Sequence, residues 1–208
     1  MKRVILPLLV YRNFIFAYAA YMVAYACANS FSTLYARYTL KLEFGAIGGV
    51  LAWSGLASAL VYVPIGYVCD RLSPFFVLLA SLAAYAAMSA LAFIFVTNQT
   101  TWLIYMIALQ VTTVAWSLAL TAMTMSLFPM QKFAQFSSSM NVIGYGPSML
   151  AGSFLAGLMM EHLWHSDYRM IFLWSTFWYA LAIVPMVLVY RGWKQHGGPS
   201  HYVPPVPG

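Results

Sequence analysis

Long apolar runs separated by brief polar breaks constrain this chain more than any motif it carries. The runs extend from about Phe14 to Tyr38, Phe44 to Cys69, Pro74 to Val96, Trp102 to Phe128, Ser137 to Met160 and Met170 to Tyr190. Each has about the 20 apolar residues that a bilayer crossing requires. A strand at that depth would leave backbone amides and carbonyls unpaired in hydrocarbon, so each run is expected to be a helix. Composition agrees: 63% of the residues are hydrophobic and 7% are charged, with a mean hydropathy of +0.79. A soluble domain carries about 25% charged residues. This chain cannot cover itself with polar surface, so its solvent is lipid.

The formal net charge of +6 comes from 10 Lys and Arg against 4 Asp and Glu. The basic residues are spread over several breaks and form no patch, which argues against a nucleic-acid partner. In a membrane protein they report orientation instead. Lys2, Arg3, Arg12, Arg71, Lys132, Arg191 and Lys194 fall on one side of the crossings, and Arg37, Lys41 and Arg169 on the other. That bias puts both termini in the cytoplasm, in a multi-pass protein of a bacterial-type cytoplasmic membrane. The resulting organisation is an interfacial lead over 1–13, a six-helix transmembrane domain over 14–190 and a cytoplasmic tail over 191–208. The lead has Pro7 and Arg12 but no small-residue cleavage site, so it does not read as a cleaved signal. The tail is rich in Gly and Pro and has no apolar periodicity; alone it is expected to be disordered.

Local chemistry marks the boundaries. Ser73 can cap the third helix, and Pro74 suits its first position. Pro129 stops the fourth, and Ser137 to Ser139 offer caps for the fifth. Pro64, Pro147 and Pro185 fall inside spans and are expected to kink them. Asn98-Gln99-Thr100 fits the glycosylation pattern, but the loop is too short to lift Asn98 clear of the membrane. The 2 cysteines, Cys27 and Cys69, read as small buried apolar residues.

Polar residues within the spans are few and ordered. In the fourth span, Gln110, Thr113, Ser117, Thr121 and Thr124 recur at steps of three or four and share one face. In the first, Tyr18, Tyr25, Asn29 and Ser32 also share one face. Such stripes face a bundle interior or a water-filled cavity, or hold neighbouring helices together. For the tyrosines, aromatic packing and interface anchoring are the alternative. Ser148-x-x-x-Gly152-x-x-x-Ala156 and Gly45-x-x-x-Gly49 permit close helix approach. His162 and His165, near Glu161 and Asp167, lack a third ligand at a recognised spacing, so no metal is expected. No nucleophile–base pair, phosphate loop or cysteine cluster is visible; an enzyme is not expected, and neither is a cofactor. All of the carboxylates, Glu43, Asp70, Glu161 and Asp167, lie at span ends or in loops, which leaves none for a proton relay within the membrane.

Between the second and third spans stands Gly66-x-x-x-Asp70-Arg71. It resembles the loop signature of the major facilitator superfamily, Gly-x-x-x-Asp-Arg/Lys-x-Gly-Arg/Lys-Arg/Lys. Ser73 replaces the second Gly, and Pro74 and Phe75 replace the basic pair. The stretch from Phe128-Pro129 through Lys132, Gly144, Gly146-Pro147 and Gly152 looks like the entry to the penultimate helix of that family's C-terminal half. The resemblance implies an all-α integral membrane protein: six transmembrane helices, half of a major-facilitator-type bundle in a 3+3 arrangement. It implies transport of a small, unidentified solute together with a second half, either a homodimeric copy or a separate chain. The competing expectation is a non-transporting subunit of a larger membrane complex. In the family the first and fourth helices of each half line the cavity. By that resemblance Tyr25, Asn29, Gln110 and Ser117 are the candidate solute contacts, with Trp116 and Asn141 next. Gly66, Asp70 and Arg71 form the candidate conformational hinge, with Asp70 paired to Arg71 or to a helix N-terminus.

Overall fold

The computed structural model describes residues 11–165 and 167–197. It contains 6 helices long and apolar enough to cross a membrane. They are α1 (Arg12–Thr39), α2 (Phe44–Arg71), α3 (Pro74–Phe95), α4 (Gln99–Leu127), α5 (Met130–His162) and α6 (Met170–Gln195). Among the described residues there is no strand. The expected lead lies mostly outside the described residues, as does the tail beyond Gly197.

Several helices run further than hydropathy alone implies. Asn98 begins α4 three residues early, because its side chain accepts from the Thr101 amide at 2.9 Å while the Thr101 hydroxyl accepts from the Asn98 amide at 3.2 Å. This reciprocal capping box satisfies donors that a bare helix end leaves orphaned. α6 continues to Gln195 because Trp193 buries its ring against Phe75, 4.4 Å between centroids. Ser73 occupies the N-cap position of α3, with Pro74 at the first turn, but its hydroxyl makes no cap bond. Pro64 and Pro185 lie inside helices. Pro147 instead comes after a π-helical turn, Asn141–Tyr145, that interrupts α5. A second π turn, Tyr35–Thr39, closes α1.

The packing runs in the order α5–α1–α6–α3–α4–α2. α1 packs on α5 and α6, and α4 packs on α2 and α3, so each half of the bundle repeats the other with its direction reversed. α1 is the most buried of the six helices, whereas α2 and α5 are the least buried. α1 and α5 run parallel and very close at Gly152: a Cβ there would stand 2.7 Å from the Val23 carbonyl oxygen. Ser148, Gly152 and Ala156 are all buried along that contact. By contrast, Gly45 and Gly49 of α2 have nothing within 4 Å. The same small-x-x-x-small spacing serves packing in α5 and faces open space in α2.

One end of the bundle is fastened by Arg169. Its Nε donates to the Phe93 carbonyl at 2.6 Å and its Nη2 to that of Ile94 at 3.3 Å, so the α6 entry caps the last carbonyls of α3. Asp167 accepts from the Arg169 amide at 3.0 Å. At the same end the Tyr35 hydroxyl donates to the Val96 carbonyl, and Tyr38 stacks on Tyr168.

Candidate functional site

The polar stripe of α1 changes character along its length. Ser32 is buried, Tyr25 is half-buried and Asn29 is exposed. The Tyr25 hydroxyl and the Asn29 amide are one turn apart and close enough to interact. Tyr18 is buried, and its hydroxyl donates to Asn141 Oδ1 on the π turn of α5 at 3.3 Å. In α4, Gln110 and Ser117 are half-buried and Thr121 is exposed. Most of the hydroxyls in this stripe turn back on their own helix. Thr113 donates to Leu109, Ser117 to Val114, Thr121 to Ser117 and Thr124 to Thr121, all at 2.8–3.0 Å. Back-bonding of this kind lets Ser and Thr sit in an apolar helix. Gln110 has no such route, and its amide makes no hydrogen bond among the described residues.

Between the two stripes lies an aromatic cluster. The backbones of α1 and α4 make little direct contact. Tyr21 and Trp116 fill the gap, stacked with centroids 4.0 Å apart and planes inclined by 22°. Tyr25 also stacks on Tyr21, at 5.9 Å. Behind them Tyr85 of α3 and Tyr179 of α6 stack at 4.7 Å, and both are fully buried. The Tyr85 hydroxyl donates to Thr113 Oγ1 at 2.8 Å and lies 3.4 Å from the Tyr21 hydroxyl. Four helices are thus joined near mid-length by rings and a short hydroxyl chain. Nothing in this cluster carries a charge.

Of these rings, the sequence pointed to Tyr25 and, in second place, Trp116; Tyr21, Tyr85 and Tyr179 were missed. A signal existed. These rings occur in the middle of their spans, whereas anchoring tyrosines and tryptophans belong at span ends.

The hinge residues take a different arrangement from the expected pair. Gly66 is half-buried, and a Cβ there would meet nothing within 4 Å. Asp70 and Arg71 are exposed, and among the described residues Asp70 forms no ion pair or hydrogen bond with Arg71 or the start of α3. The Arg71 guanidinium instead lies over the Tyr67 ring, 4.5 Å from its centroid. The reason is geometric: both residues belong to the last turn of α2, where sequence neighbours diverge, whereas positions four apart meet. Among the described residues no group of three His, Cys, Asp or Glu is placed to hold a metal ion.

A family model, the Major Facilitator Superfamily, matches residues 14–205. The chain belongs to the major facilitator superfamily. It is therefore a multi-pass membrane protein of a family concerned with membrane transport, and its helices are surrounded by lipid. Neither curated proteins nor solved structures include a match to the chain. The six-helix halves of major facilitator proteins contain two three-helix repeats of inverted topology. Here α1–α3 and α4–α6 are those repeats, and the contacts of α1 with α5 and α6 mirror those of α4 with α2 and α3. Tyr21 and Trp116 come from the equivalent first helices of the two repeats, so their stack lies where the repeats meet.

Proposed function

We propose that this chain forms one wall of a solute pathway and moves a small solute together with a second six-helix half. The observation that carries the reading is that Tyr25, Asn29, Gln110 and Ser117, polar residues within apolar spans, are not buried by the bundle. Asn29 is exposed, and the others are only half-covered by the bundle. An amide left without partners in hydrocarbon costs roughly 2–7 kcal/mol. Gln110 facing lipid would bear that penalty, and Asn29 would have only the Tyr25 hydroxyl beside it; facing water or a second polypeptide, both are satisfied. The uncovered glycines of α2 support the same reading, since they leave room for another helix to approach. Gly66, Asp70 and Arg71 would serve as the hinge at the cytoplasmic side. No step of covalent chemistry is assigned to the chain.

The second reading, a structural subunit that does not transport, is favoured by one observation. The Ser and Thr hydroxyls of α4 are bonded to their own helix and ask nothing of a solute. Crosslinking in native membranes separates the two. With Cys27 and Cys69 replaced by Ser, single cysteines at Asn29 and Gln110 are expected to capture a second polypeptide or a second copy. Capture at Gly48 of α2 but at neither Asn29 nor Gln110 would favour the structural subunit. A monomer with no capture anywhere would remove the half-transporter reading.

A further inference from the structure

The π turn of α5 places two more polar residues against the open face of α1. Asn141 is exposed, and its Oδ1 is taken by the Tyr18 hydroxyl. That bond leaves the two amide hydrogens of Asn141 without a partner among the described residues. Tyr145, one turn on, is 43% exposed, and the turn that carries it packs against α1. The position has a backbone cause. Pro147 has no amide hydrogen to give to the preceding turn, and the Gly146 amide bonds back to the Asn141 carbonyl, a wider loop than an α-turn. Widening inserts an extra residue into the turn and rotates the side chains beyond it about the helix axis. Gly144 makes the rearrangement fit: a Cβ there would stand 2.9 Å from the Tyr18 ring. Tyr18 therefore seats over Gly144 while holding Asn141 by its oxygen.

We infer that Asn141 and Tyr145 extend the solute-facing wall from α1 onto α5, as contacts for an uncharged, hydrogen-bonding solute. Asn141 offers amide donors to a solute oxygen, and Tyr145 offers a phenol that donates or accepts. Tyr18 acts on the site as a positioning residue, because its bond fixes which edge of the Asn141 amide is free. Local widening to a π turn is a recurrent device at functional sites in helices. Here it brings Asn141 onto Tyr18 of α1, whereas Leu150 and Phe154 of α5, 76% and 66% exposed, make an apolar surface.

The inference rests on the proposed wall along α1, and thiol accessibility separates the two. Single cysteines at Asn29, Asn141, Tyr145, Leu150 and Phe154, in the Cys27→Ser, Cys69→Ser background, are treated in membrane vesicles with a hydrophilic methanethiosulfonate. Only a thiolate in contact with water reacts, so wall positions should be modified about tenfold or more faster than lipid-facing ones. The expected result groups N141C and Y145C with N29C, and L150C and F154C as slow. N29C fast with N141C and Y145C as slow as F154C overturns the inference and leaves the α1 wall standing. N29C as slow as F154C overturns both. Tyr145 makes no hydrogen bond among the described residues, so Y145C reports even if N141C fails to fold for want of the Tyr18 bond.

Discussion

At the scale of single residues, glycine carries the clearest lesson. Gly152 and Gly48 are both helical glycines in an apolar span, yet their surroundings differ completely. A Cβ at 152 meets the Val23 carbonyl oxygen at 2.7 Å and the Val23 Cα at 2.9 Å, both backbone atoms that cannot turn aside. A Cβ at 48 meets nothing within 4 Å. Gly152→Ala should therefore lower stability by about 1–3 kcal/mol through forced separation of α1 and α5. Gly48→Ala should raise it by about 0.4–1 kcal/mol by restricting the unfolded chain. Denaturation in detergent, monitored by circular dichroism, measures both; equal effects would show that the α1–α5 contact is not the close one described. The Ser148–Gly152–Ala156 spacing was legible in the sequence. That a Cβ at Gly45 or Gly49 would meet nothing among the described residues was not, because spacing shows that a helix can be approached and says nothing about what approaches it.

At the scale of elements, the helices were legible from apolar run length, and their ends less so. Hydropathy starts α4 at its first large apolar residue, Trp102, while the capping box between Asn98 and Thr101 starts it at Gln99. The Asn98 side chain that fits a glycosylation pattern is occupied as a helix cap. Asn98→Ala should cost about 0.5–2 kcal/mol, most of it as fraying of the first turn of α4. Faster hydrogen exchange confined to the amides of residues 99–101 would show it. Pro147 was expected to kink a helix; the structure puts a π turn just before it, which accommodates the missing amide by widening the preceding turn. α6 passes the expected boundary at Tyr190 since Trp193 gains a packing partner in Phe75, and a span rule based on hydropathy cannot see a partner from α3.

At the scale of the molecule, the described cations sort by end. Arg12, Arg71, Lys132, Arg191 and Lys194 stand at the end where α1 begins, and Arg37, Lys41 and Arg169 at the opposite end. From the positive-inside bias we propose that the first end faces the cytoplasm. A cysteine at the exposed Ser73 should react with an impermeant thiol reagent only from the cytoplasmic side, in the Cys27→Ser, Cys69→Ser background; labelling from outside alone would invert the topology. The sequence by itself determined that the chain lives in lipid as a bundle of long helices, and which side chains form the polar stripes of α1 and α4. Those properties come from run length and helical period, both local along the chain. Only the tertiary structure decided that Tyr21 and Trp116 stack between the stripes, that Tyr85 and Tyr179 support them from behind, and that Asp70 stands apart from Arg71. It also decided that Asn141 and Tyr145 meet the face of α1. Each of these depends on which helix lies beside which and at what rotation. That is set by shape matching among apolar surfaces, which look alike in composition, and by close contacts such as Gly152 on Val23 that no single helix contains.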